Sequence, residues 1–226
     1  RQANIAGKNI KLVSLIGGIG QKDKYVVIDS DGRVILLAKA DIYAEELAGD
    51  MVLDIVETDG NISLVSDGSI VAVKDVKGIV IRGKDIDLTS VNGGIGTAEK
   101  AVAIDLGKTG ALSANAARNI YLDAAAGDMR IYRISTPENV WLKALGSIVN
   151  KAPEGTINVS GKEVILTAVK GNAGDKNKAL ITDTGALTVQ AAADIAIYGI
   201  NSLVIRKIAS YKGNVYLIAE MNIVSS

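Results

Sequence analysis

The stretch GKDIDLTSVNGGIGTAEKAVAIDLG, residues 83–107, occurs three times in this chain in related forms. GKNIKLVSLIGGIGQKDKYVVIDSD begins at Gly7 and GKEVILTAVKGNAGDKNKALITDTG begins at Gly161, so the copies are offset by 76 and 78 residues. Self-similarity at a fixed period indicates a repeat architecture before any single residue is considered. The chain therefore divides into three blocks, approximately residues 5–80, 81–158 and 159–226.

A shorter unit recurs inside each block and consists of a polar residue followed by apolar, variable and apolar residues. In the first block it starts at Asn9, Asp41, Asp50 and Asn61, with gaps of 32, 9 and 11 residues. The gaps are 34, 9 and 11 in the second block and 31, 8 and 12 in the third, which predicts one structure repeated three times. The later units start at Asp85, Asn119, Asp128, Asn139, Glu163, Asp194, Ser202 and Asn214.

The units alternate with a period of two, which is the pattern of a strand with one face turned inward. Between them lie Gly, Asp, Asn and Ser, the residues of tight turns. Short strands and tight turns in aligned blocks predict an all-β parallel β-helix, a solenoid of about eight to eleven turns with three super-repeats. Residues 1–226 then form a single β-helix segment. An antiparallel sandwich or barrel is the alternative, because it also has short strands at regular spacing.

Stacked turns place inward residues in ladders. The sequence predicts that Ile10, Ile86 and Val164 are equivalent inward positions, one block apart along the axis. Leu12, Leu88 and Leu166 are predicted to form a second such set. Phenylalanine is absent, so we expect a narrow core of Ile, Leu, Val and Ala.

The glycine cluster in residues 91–107 does not have the features of a phosphate-binding loop. Such a loop lies between a strand and a helix, whereas the segment AVAID that follows Gly96 has a strand pattern. We expect a longer loop that leaves the coil at the same corner in each block, with glycines supplying positive φ angles.

Composition excludes several function classes. The 226 residues contain 25 basic and 25 acidic side chains, so no bulk positive field favours nucleic acid. The absence of cysteine and histidine removes thiol nucleophiles and the usual metal ligands, and we expect no cofactor. No apolar run is long enough for a membrane-spanning helix, so no membrane insertion is expected. Because the sequence begins at Arg1 without a signal-like segment, we expect it to be an excerpt of a longer chain.

Two groups of acidic residues raise the question of catalysis or metal binding. Asp85 and Asp87 are predicted to point outward near Arg82 and Lys84, which would suit an enzyme that acts on acidic polysaccharides. The equivalent positions in the first block are Asn9 and Lys11, so an ordinary charged surface is the preferred interpretation and no catalytic residue is predicted.

A second group, Asp29, Asp31 and Asp183, lies in turn-like sequences. These residues lack the spacing of a calcium loop, so turn chemistry is preferred and no metal ligand is predicted.

A binding surface is predicted from the second block. In NIYLDAAAGDMRIYRISTPENVWLKA the outward positions hold Tyr121, Arg130 and Trp141, and Tyr132 continues the alternation. Aromatic rings beside arginine commonly contact sugars or proteins, so a glycan or protein of a host or neighbouring cell is a candidate partner. The alternative is that these are isolated surface aromatics or that Trp141 is covered by a loop.

The segments GGIGTAEKAVAIDLG and TGALSANAARNIYLDA resemble those of large bacterial exoproteins related to filamentous haemagglutinin, as do DGRVILLAKADIYAEE and TGALTVQAAADIAIYG. The resemblance extends over essentially the whole chain and implies a right-handed parallel β-helix that packs against adjacent repeats of the same chain. It also implies a secreted or cell-surface location and a role as adhesin or as the shaft of a contact-dependent toxin. It assigns no catalytic or binding residues.

These observations together predict a non-enzymatic shaft segment that displays a terminal functional domain of a large bacterial adhesin. A direct glycan- or protein-binding adhesin surface is the alternative. A polysaccharide-acting β-helix enzyme is a further, less favoured alternative.

Overall fold

A computed structural model describes residues 2–226 as a parallel β-solenoid of about 11 turns, which confirms the predicted fold class. The described residues contain no helix, and so no helix long and apolar enough to cross a membrane. The first eleven strands are β1 Ile5–Gly7, β2 Ile10–Ser14, β3 Val26–Ser30, β4 Arg33–Ala38, β5 Ile42–Glu46, β6 Met51–Glu57, β7 Ile62–Ser66, β8 Ile70–Ala72, β9 Ile81–Arg82, β10 Ile86–Ser90 and β11 Val102–Asp105. The remaining strands are β12 Leu112–Ala116, β13 Ile120–Ala124, β14 Met129–Ser135, β15 Asn139–Ala144, β16 Ile148–Asn150, β17 Val159–Ala168, β18 Leu180–Ala191, β19 Ile195–Gly199, β20 Leu203–Ser210, β21 Val215–Ala219 and β22 Ile223–Ser225.

Successive strands alternate between two stacks, which we name column A and column B. Column A contains β2, β4, β6, the pair β8 and β9, β11, β13 and β15, and each pairs in parallel with the next, with β9 making the pairing to β11. Strand β20 continues column A after β18. Column B contains β1, β3, β5, β7, β10, β12 and β14 in the same arrangement. The long strands β17 and β18 turn the corner and contribute to both columns. One complete coil therefore consists of two half-coils, one in column A and one in column B.

Each block spans an odd number of half-coils, and this corrects one expectation about the ladders. Ile10 and Ile86 are separated by seven half-coils, so Ile10 lies in column A and Ile86 lies in column B. Val164 returns to column A. All three residues are buried, as predicted, but Ile86 is not stacked above Ile10. The same holds for Leu88 relative to Leu12 and Leu166, and Leu12 is only partly buried.

The core is the continuous interior between the two columns. In column B one ladder runs through Ile42, Ile62, Ile86, Leu112 and Ile131, each in register with the next. These residues are at most 1% exposed, so like side chains stack at every coil. Burial of aliphatic surface contributes roughly 25 cal/mol per Å² and is the main stabilising term.

The polar residue at the start of most of the repeated units forms a hydrogen bond that joins one coil to the next. The side-chain oxygen Oδ1 of Asn9 accepts the backbone N–H of Arg33 at 2.8 Å, and Oδ1 of Asp50 accepts that of Ser69 at 2.7 Å. Asn and Asp both present this acceptor, which explains why the units begin with either residue. The same contact is made by Asp41, Asn61, Asp85, Asn119, Asp128 and Asp194.

Each glycine-containing loop ends in a short hydrogen-bonded turn, such as the one between Thr97 and Lys100, which precedes the next strand. Gly96 has a φ of 68°, and a Cβ there would collide with the backbone oxygen of Tyr121 on the next coil, so the predicted positive-φ role is confirmed. The expectation of one common corner is wrong for the second block. Ile95 bridges column A, whereas Ile19 and Ala173 bridge column B, because a block of seven half-coils changes sides.

Candidate binding surface

The four residues of the predicted binding surface lie in two separate places. Tyr121 and Trp141 are on β13 and β15 of column A. Arg130 and Tyr132 are on β14, which belongs to column B. The prediction that they share one side of successive turns is therefore wrong, because one half-coil separates each strand from the next in sequence.

Tyr121 and Trp141 form a stacked pair. They are in register on adjacent coils, with ring centroids 4.3 Å apart and planes inclined by 5°. Ile165 is in register with Trp141 on the following coil. Burial raises the pKa of the Tyr121 phenol, with smaller contributions from Glu99 and Glu138. The rings thus stack on each other along the axis, and both side chains are partly buried.

The side chain of Arg130 is hydrogen-bonded to the turn at residues 106–110 of the adjacent coil. Its guanidinium Nε donates to the carbonyl oxygen of Gly110 at 2.8 Å, and Nη2 donates to those of Gly107 at 2.5 Å and Leu106 at 3.2 Å. The side chain is only 12% exposed. Its donors are therefore committed to the turn at residues 106–110.

Tyr132 is 44% exposed and lies at a bulge where the register between β12 and β14 shifts. It borders two adjoining depressions of about 360 and 550 Å³ on the outer face of column B, which share Asp87, Ser113 and Tyr132. Together they form one groove that we name the trough. Its principal lining residues are Tyr25, Tyr43, Ser63, Asp87, Ser113 and Tyr132.

One end of the trough is closed by a pair of tyrosines. The rings of Tyr25 and Tyr43 meet edge to face with centroids 5.6 Å apart. The hydroxyl groups of Tyr25 and Ser63 are joined by a 2.7 Å hydrogen bond, and the Tyr43 hydroxyl donates to Asp41 at 3.3 Å. Burial, followed by the Asp41 carboxylate, raises the pKa of the Tyr43 phenol, so this hydroxyl group is protonated at physiological pH.

Asp87 is the carboxylate in the middle of the trough. Its side chain reaches solvent at the mouth, but the trough walls withdraw enough water to raise the pKa of its carboxyl group. Its sequence neighbour Asp85 has a different role, because Asp85 Oδ1 accepts the backbone N–H of Ala111 at 2.9 Å. Arg82 lies in column A, where it pairs with Glu57 and Asp105. The structure therefore does not assemble a patch of Asp85, Asp87, Arg82 and Lys84.

The acidic turn residues serve other purposes. Asp183 accepts a hydrogen bond from the side chain of Asn201 at 3.0 Å. Asp29 and Asp31 are exposed. Residues 2–226 contain no cluster of three or more acidic side chains placed to hold a metal ion.

Comparison with known protein families, curated proteins and solved structures finds no match to this chain.

The trough was not predictable from the sequence pattern alone. Asp87 faces Ser63 and Ser113, which are 24 and 26 residues away and are brought beside it only by the coil register. Because the coils between these strands differ in length, the sequence alone does not show this register. The period-two alternation does correctly predict that all three residues point outward.

Proposed function

We propose that the chain is a structural shaft segment of a large secreted or surface-displayed bacterial exoprotein, similar to those related to filamentous haemagglutinin, and that it holds a terminal functional domain away from the cell. The observation that carries the proposal is the uninterrupted stack of coils. Every coil pairs in parallel with its neighbours, and one hydrophobic core extends through all three blocks.

The proposed role is mechanical. Backbone hydrogen bonds between coils run along the axis, and at about 4.8 Å per coil the eleven or so coils span about 50 Å. Ion pairs along the axis reinforce the outer face. Arg82 pairs with Glu57 on the preceding coil at 3.4 Å and with Asp105 on the following coil at 3.3 Å. Such a stack lengthens by adding coils without changing its cross-section.

We propose no catalytic role. Glycoside hydrolysis commonly uses two carboxyl groups that flank the scissile bond. In the trough, Asp85 is engaged in a backbone contact and Asp87 is the carboxylate left without a protein partner among the described residues. A direct binding function is supported by the trough itself.

Labelling of intact cells tests the shaft proposal. Antibodies raised against this segment should label intact cells of the source organism, and external protease should remove the signal. An antibody against a cytoplasmic protein, applied to the same cells, controls for lysis. Labelling that appears only after the cells are broken would overturn the proposed surface location.

A further inference from the structure

Outward carboxylates on the strands of this solenoid are commonly neutralised by a cation from another coil. Asp123 pairs with Lys143 at 3.0 Å and Glu163 pairs with Arg206 at 2.8 Å. Arg33 similarly joins Asp54 and Asp75, at 3.4 and 2.7 Å. In each of these cases the cation, one or two coils away along the axis, reaches the carboxylate and forms an ion pair.

Asp87 departs from this pattern. Its in-register neighbours on the two adjacent coils are Ser63 and Ser113, neither of which can supply a charge. The next positions along this ladder are Tyr43 and Arg133, two coils away on either side and therefore about 10 Å distant. Asp87 has no hydrogen bond or ion pair with any described residue. It is a carboxyl group without a paired cation, in a groove whose adjacent small residues leave space for one.

The surroundings of Asp87 limit the kind of cation. Tyr43 and Tyr132 supply aromatic surface on opposite sides of Asp87, and Ser63 and Ser113 supply hydroxyl groups beside it. From Tyr43 to Arg133 the ladder covers four coil spacings, about 19 Å, which suits a short oligomer rather than a single small ion. Aromatic rings favour organic ammonium groups and sugar rings, and hydroxyl groups favour a hydroxylated ligand.

The charges at the two ends of the trough narrow the ligand further. Lys22 borders one end and Arg133 borders the other. A ligand with positive charge along its whole length would meet repulsion at both ends. The trough between these cations contains two carboxylates, Asp85 and Asp87, and one oxygen of Asp85 already accepts the backbone N–H of Ala111. A ligand with one ammonium group in the middle and uncharged flanks matches this order of charges.

We propose that the trough is a binding site for an oligosaccharide that contains a free amino sugar, with the sugar's ammonium group donating to the Asp87 carboxylate. The flanking uncharged sugar units lie along the axis towards Tyr43 and Tyr132. This site is independent of the shaft role, since binding concerns the outer face of column B and stiffness depends on the core and the coil-to-coil hydrogen bonds.

Calorimetric titration of the purified chain tests the proposal. The probe is a tetramer of N-acetylglucosamine in which one unit has lost its acetyl group, and the control is the fully acetylated tetramer. The free amine should bind at least tenfold more tightly than the acetylated control, because a charge-assisted hydrogen bond is lost on acetylation. Equal binding of the two tetramers, or binding of neither, would overturn the proposal.

Two substitutions test the role of Asp87. Asp87→Asn should bring the affinity for the free amine down to that for the acetylated tetramer. Ser113→Lys should do the same by supplying the missing cation from the protein itself, one coil from Asp87. Asp54→Asn removes the same charge from an outward strand position in column A and should leave binding unchanged. Unchanged affinity in both trough variants would overturn the assignment.

A third variant and a competing ligand define the ligand class. Tyr132→Ala should weaken both tetramers, since the ring contacts sugar whether or not the amine is free. Spermine carries several ammonium groups without sugar rings, and tighter binding of spermine than of the oligosaccharide would contradict the sugar assignment. Thermal unfolding of each variant shows whether it is folded, and Tyr132 is exposed enough for its truncation to leave the core intact.

Discussion

Removing the carboxylate of Asp50 tests the finding that polar corner residues fasten the coils together. Oδ1 of Asp50 accepts the backbone N–H of Ser69 on the next coil at 2.7 Å. In Asp50→Ala this N–H loses its protein partner. An intramolecular hydrogen bond contributes about 0.5–1.5 kcal/mol net, and the corner is exposed, so we expect a loss of about 1 kcal/mol in the free energy of unfolding. For a chain of this size that corresponds to a fall of roughly 2–4 °C in the melting temperature.

Asp50→Asn is the matched control for this prediction. Asparagine keeps a side-chain carbonyl acceptor and removes the charge, and Asn119 makes the equivalent contact with the N–H of Asn139 at 3.1 Å. Urea unfolding followed by circular dichroism should therefore show Asp50→Asn close to the unsubstituted protein. The reasoning is refuted if both variants lose the same stability, because charge would then matter rather than the acceptor, or if Asp50→Ala loses none.

Two further predictions concern the core and the coil as a unit. Glu46 is 1% exposed and accepts hydrogen bonds from the Ser30 backbone N–H and hydroxyl at 2.9 and 2.5 Å, and burial raises its pKa. A carboxyl group with a raised pKa contributes stability that is fully present below its unfolded-state pKa and is lost as the pH rises through its folded-state pKa. Urea unfolding across this range should therefore show Glu46→Gln becoming progressively more stable relative to the parent as the pH rises. A difference in stability that stays constant with pH would contradict this reasoning. Deleting residues 42–61 removes one complete coil, because Ile42 is in register with Ile62, and circular dichroism should show the shortened chain folding cooperatively. Deleting only Ile42–Glu46 removes a strand without closing the coil and should disrupt folding, so equal disruption by both deletions would contradict a coil-by-coil architecture.

The sequence contains enough information to predict the solenoid but not the side of the solenoid on which each unit lies. Period-two alternation distinguishes inward Ile10 from outward Lys11, and it holds for Ile86 and Asp87 in the second block. The alternation does not show in which column a strand lies. Because a block contains an odd number of half-coils, Ile86 lies in the opposite column from Ile10. Corner acceptors such as Asp50 are visible in the sequence as a recurring Asn or Asp, although their partners are not.

The candidate sites were harder to predict for the same reason. Tyr121 and Trp141 are one complete coil apart and do meet, whereas Arg130 and Tyr132 are a half-coil away and do not join them. The surroundings of Asp87 depend on the serines of two neighbouring coils. Predicting such neighbours requires the length of every intervening coil, which loops and bulges make irregular.

The most direct test of a stiff, regularly stacked shaft is a set of distances between paired spin labels, which the cysteine-free sequence allows without background labelling. Cysteines placed at Lys11 and Lys143, which are both exposed on strands of column A, lie six coils apart, at about 29 Å along the axis. Moving the second label to Gln190 adds two coils and about 10 Å. Pulsed electron paramagnetic resonance should give narrow distance distributions that lengthen by this increment. Broad distributions, or a second distance no longer than the first, would contradict a stiff rod in which each coil adds a fixed rise.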